Sequence, residues 1–181
     1  MSAFEFYFSF FGLILGIAVA NVGVGFGRLW RVRGQVRIGA CLPLLGIWLL
    51  CHAVLNWSST WQSLQAVPVS PTSLFIGLFV SLPYVLVSTV MFPEDADRAG
   101  SLDDFYLSHS RLVMAAMMVP TLVGMIGYVT LFGRRYTPNN LIETFLVVFL
   151  VPLVLFFWRN LWAHRIGLAL AALLIVWWMY A

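Results

Sequence analysis

The sequence predicts an all-α integral membrane protein, a bundle of six transmembrane helices, several of them proline-kinked. Three observations carry this. Hydrophobic residues make up 62% of the chain and charged residues 9%, against the roughly 45–50% and about 25% of soluble domains, so there is too little charge to cover a water-facing surface. Six apolar stretches, at residues 6–27, 39–57, 73–92, 111–132, 140–158 and 165–181, approach the about 20 residues that cross the hydrocarbon of a bilayer. The connections between them leave no room for a soluble domain, so residues 1–181 read as a single polytopic transmembrane domain.

The third observation is the placement of arginine in a chain without lysine. Arg28, Arg31, Arg33 and Arg37 follow the first span, Arg98 and Arg111 the third, Arg159 and Arg165 the fifth, and only Arg134 and Arg135 lie on the other side. The positive-inside rule then puts these three connections in the cytoplasm and both termini outside, in a bacterial-type inner membrane. Arginines at such positions meet anionic headgroups. No basic stripe interleaved with aromatics suggests nucleic acid.

Span 1 lacks basic residues ahead of it and stays apolar to Gly27, which reads as a retained span rather than a cleaved leader. Its small residues Gly12, Gly16, Ala20, Gly23 and Gly27 recur at three- and four-residue spacing. Such a strip lets helices approach closely in lipid, and the expectation is packing against another span of this chain or, as the alternative, against a second copy. Span 2 carries Cys41 and Cys51, ten residues and roughly 15 Å apart on one helix, too far to pair and without a CxxC spacing. The connection after it, "SSTWQSLQAVPVSPTS", is uncharged and suits the interface.

Pro83, Pro120 and Pro152 fall near the middles of spans 3, 4 and 5, where each removes a donor and crowds the preceding turn. Ser81, Thr121 and Thr144 are the hydroxyls expected to satisfy the freed carbonyls. The segments "GRLWRVRGQVRIGACLPLLGIWLL" and "WRNLWAHRIGLALAALLIVWW" also echo one another, the mark of a possible duplicated hairpin. Trp30 and Trp162 then belong to one interface, with Trp57, Trp61, Trp177 and Trp178 nearer the other, as aromatic belts require.

Five of the seven carboxylates crowd between Glu94 and Asp104. Asp103 and Asp104, just after Ser101, read as the first turn of the fourth helix, where carboxylates complement the macrodipole. Glu94, Asp95 and Asp97 have no such local role and are expected to form a cytoplasmic docking surface for a membrane-protein partner. A calcium loop starting at Asp95 fails at Ala99 and at Tyr106, which stands where the bidentate glutamate belongs.

His52, Glu143 and Glu5 approach the outer leaflet at one level, and ionisable groups in spans tend to face a cavity or one another. They form the candidate ligand or proton site. The simpler expectation for His52 is a hydrogen bond to a carbonyl or to Asn56. No cofactor is predicted. A divalent metal at His52, or haem between His109 and His164, is the only route to one. The leading functional expectation is a non-catalytic integral membrane component, an accessory or assembly subunit or small receptor-like module with the acidic docking loop. A small transporter or channel using the His52 site is the alternative, and a lipid-active membrane enzyme the second.

Overall fold

The computed structural model describes residues 3–64, 70–94, 101–132 and 148–180. They form six helices and no strand: α1 Ala3–Val32, α2 Cys41–Leu64, α3 Pro71–Val90, α4 Leu102–Phe132, α5 Leu150–Phe157 and α6 Leu161–Tyr180. All but α5 are long and apolar enough to cross a membrane. The described part of α5 is 8 residues, entered through a π turn at 148–149, and the expected beginning of the fifth span at residue 140 lies outside the described residues.

Each helix packs mainly on the next in the order α1, α3, α4, α5, α6, α2, and α2 closes the ring on α1 while touching α3 and α4 across the middle. The connections after α1, α3 and α5 gather at one end. There the amide of Leu102 donates to the carbonyl of Arg37 at 3.1 Å, and Arg159 donates to the carbonyl of Leu107 at 3.2 Å. Trp30 and Trp162 are exposed at this end.

Local chemistry sets the helix starts. Ser70 and Ser73 form a reciprocal capping box ahead of Pro71, which sits where its missing N–H costs nothing. α2 has no acidic residue in its first turn and follows Ala40 and Gly39, neither of which can cap it with a side chain. α4 begins at Leu102, just after Ser101, and two turns of polar helix precede the apolar run that starts near residue 111.

The buried face of α1 is Tyr7, Phe11, Leu15, Ala18, Val22 and Leu29, one stripe at three- and four-residue steps. That leaves the small residues on another face. Gly16, Ala20, Gly23 and Gly27 are exposed, and a Cβ added at Gly16, Gly23 or Gly27 would meet nothing within 4 Å. Only Gly12 packs, against Trp57. The expected packing of the strip within the chain is therefore not seen among the described residues. Close approach occurs elsewhere, at Gly77 under Tyr7, Gly25 under Phe92 and Gly46 under Phe26. Large aromatic side chains from neighbouring helices fill the places that these glycines leave open.

Pro83 and Pro120 lie inside α3 and α4, and Pro152 lies within the described α5, the expected beginning of whose span falls outside the described residues. Neither described hydroxyl serves as expected. Ser81 donates to the carbonyl of Gly77 at 2.8 Å, two residues before the Phe79 carbonyl that Pro83 frees. Thr121 is buried with no partner for its hydroxyl among the described residues, and Thr144 lies outside them.

Candidate functional site

Buried polar side chains in a span must find partners or carry a desolvation cost. Here they find them between helices. Asn21 of α1 donates to Ser88 of α3 at 3.2 Å and approaches Thr89 at 3.4 Å. His52 of α2 is buried, and its Nδ1 is 2.5 Å from the hydroxyl of Tyr84 on α3. Asn56, one turn on from His52, donates to the same hydroxyl at 2.9 Å. One hydroxyl thus serves both side chains, and the ring nitrogen of His52 that it does not reach is Nε2. That Nε2, and the Nε1 of Trp48 one turn below, are buried without partners among the described residues. The indole stands edge-on to the imidazole at 5.8 Å.

A second His–Tyr pair lies at the end where the arginine-bearing connections gather. The hydroxyl of Tyr106 on α4 meets Nδ1 of His164 on α6 at 2.6 Å, both residues buried. Each pair joins helices that are not neighbours in the ring, so each ties the bundle across its interior.

Beside the second pair is an ion pair. Asp103 of α4 accepts from Arg165 of α6 at 2.6 Å, and its other oxygen accepts the backbone amide of Cys41 at 3.0 Å. Cys41 opens α2, so Asp103 supplies from another helix the N-cap that α2 lacks locally. Gly39 makes room for this. It adopts φ 68, and a Cβ there would collide with the Asp103 carboxylate. Asp103 and Asp104 thus part company: Asp104 is exposed, whereas Asp103 is spent on α2 and α6 more than on starting its own helix.

No protein-family model, curated protein or solved structure matches the chain. Its residues must carry the functional argument alone.

Of the candidate outer site, His52 is placed with Tyr84 and Asn56, Glu5 is exposed in the first turn of α1, and Glu143 lies outside the described residues. Asn56 reaches the same hydroxyl as His52 rather than the imidazole itself. Of the candidate docking surface, Glu94 is exposed, and Asp95 and Asp97 lie outside the described residues. His109, weighed with His164 as a haem pair, stacks on Phe105 at 4.5 Å and bonds within its own helix. Among the described residues no group of three or more His, Cys, Asp or Glu side chains could hold a metal. Cys41 and Cys51 are both free thiols.

The residues missed from the sequence are the tyrosines and the cap. Tyr84 sits inside an apolar run, and a buried phenol requires a partner; that was the available signal for a His52 partner on span 3. Nothing local signals that Asp103 reaches Cys41, 62 positions away.

Proposed function

We propose that this chain is a non-catalytic integral membrane component, spanning an inner membrane six times with both termini external and offering an acidic cytoplasmic connection around Glu94 to a membrane-protein partner. The observation that carries the reading is the division of labour among the carboxylates at one end of the bundle. Asp103 is buried and committed to Arg165 and the α2 terminus, while Glu94 is exposed in the same connection. An anionic leaflet repels such exposed acids, which keeps them available to a basic partner. The buried hydrogen bonds support the same reading, since they join α1 to α3, α2 to α3 and α4 to α6.

The test is recovery of co-purifying proteins after mild detergent extraction. Neutralising Glu94, Asp95 and Asp97 together is expected to weaken that recovery in a salt-sensitive manner and to leave thermal stability nearly unchanged. Unfolding with partner recovery intact would instead make the acidic connection an internal element and remove the main support for this function.

A second reading, a small transporter or channel, is favoured by one specific feature: two buried ring nitrogens, Nε1 of Trp48 and Nε2 of His52, stand one turn apart without partners among the described residues. On that reading His52→Ala alters transport or proton movement in reconstituted vesicles. Unchanged flux with unchanged stability sinks it.

A further inference from the structure

The chain contains the turn Leu-Trp-x-x-Arg twice, at Leu29–Arg33 and Leu161–Arg165. Each sets a guanidinium over a tryptophan ring, the first at the end of α1 and the second at the start of α6. The guanidinium of Arg33 lies 3.9 Å from the centre of the Trp30 ring, and that of Arg165 lies 5.1 Å from the centre of the Trp162 ring. Both indoles are largely exposed, 67% for Trp30 and 68% for Trp162.

The copies differ in what holds the arginine. Arg165 is bound to Asp103. Arg33 donates to the carbonyl of Trp30 at 3.1 Å and meets no carboxylate among the described residues. Arg28, Arg31 and Arg37 are also exposed and form no ion pair there. Stacking fixes the plane of a guanidinium and leaves its outward N–H groups in the fork that suits a phosphate. An indole at the end of an apolar helix lies at headgroup depth.

The exposed small-residue strip supplies the other half of the site. Gly16, Ala20, Gly23 and Gly27 run along the outer face of α1, and the next steps of three and four from Gly27 arrive at Trp30 and Arg31. With no side chain near Gly16, Gly23 or Gly27 and with Val24 57% exposed, the strip is a shallow apolar trough ending at unpaired positive charge. We propose that it binds an anionic phospholipid, the phosphate on Trp30, Arg31 and Arg33 and one acyl chain along Gly27, Gly23, Ala20 and Gly16. A headgroup fits better than a free anion because trough and charges are continuous on a helix apolar over Glu5–Val32.

The experiment uses the full chain in neutral detergent, with phosphatidylglycerol and phosphatidylcholine competing and the retained lipids read by native mass spectrometry. Wild type is expected to prefer phosphatidylglycerol. Arg33→Gln should cut that preference about fivefold, equivalent to the about 1 kcal/mol that each arginine near an anionic surface contributes. Arg33→Lys should fall between them, keeping the charge without the planar stack. Gly23→Leu should reduce retention of phosphatidylglycerol at unchanged melting temperature, and Arg165→Gln should leave lipid preference intact while lowering the melting temperature. Wild-type retention in both Arg33→Gln and Gly23→Leu overturns the proposal. So does displacement of the lipid by excess inorganic phosphate, which would make this a free-anion site, or a change from dimer to monomer in Gly23→Leu, which would give the strip to a second copy.

Discussion

The carboxylate of Asp103 serves two helices at once, holding Arg165 of α6 at 2.6 Å through one oxygen and the first amide of α2 at 3.0 Å through the other. Asp103→Ala, which removes both acceptor oxygens, is therefore expected to lower the melting temperature in detergent more than Arg165→Gln, which leaves the cap in place. Loss of the cap alone is worth about 0.5–2 kcal/mol. Asp104→Asn, at an exposed position in the same turn, should be close to neutral. Equal effects of Asp103→Ala and Asp104→Asn would show that the remote cap contributes nothing.

Gly39 is the companion of that carboxylate. A side chain at φ 68 carries the left-handed penalty of about 1–2 kcal/mol, and here its Cβ would also displace Asp103. Gly39→Ala should thus destabilise more than that penalty, and combining it with Asp103→Ala, which vacates the space the new Cβ would enter, should cost less than the sum of the two changes. Additive losses in thermal unfolding would mean that the glycine and the carboxylate act separately.

Tyr84→Phe leaves both His52 and Asn56 without their shared hydroxyl. The expected loss is about 1–2 kcal/mol, at the upper end for interhelical bonds in membranes, because two partners are orphaned rather than one. Tyr106→Phe orphans one and should cost less. Thermal unfolding of the two variants side by side checks the order, and the reverse order would contradict the assigned roles.

For orientation, reporter fusions after residues 34, 100 and 162 are expected to read cytoplasmic, and those after 66 and 137 external. A cytoplasmic signal after residue 137 would refute the six-span count.

Periodicity and composition were enough to place five long apolar helices, because a span must be apolar over its whole length and leaves a signal in every window. They did not tell which face of α1 is buried. The glycines marked a face where helices could approach, yet Tyr7, Phe11, Leu15 and Val22 occupy the buried one, since in lipid both faces are apolar and pattern alone cannot choose between them. His52 was visible as an ionisable group in a span. Its partner was not, because Tyr84 is brought to it only by the packing of α2 and α3 around one interior. The cap of α2 was illegible for the same reason: its donor and acceptor lie 62 residues apart.

That separation bears on how the protein is made. Ribosomes deliver the chain from the N-terminus, so α2 reaches the bilayer before Asp103 has been synthesised, and its first turn must wait, open to water at the interface, until α4 arrives. Arg165 comes later still. A chain arrested after α3 would therefore hold its spans but expose the start of α2 to proteases, whereas a chain carried on through α4 would close that window.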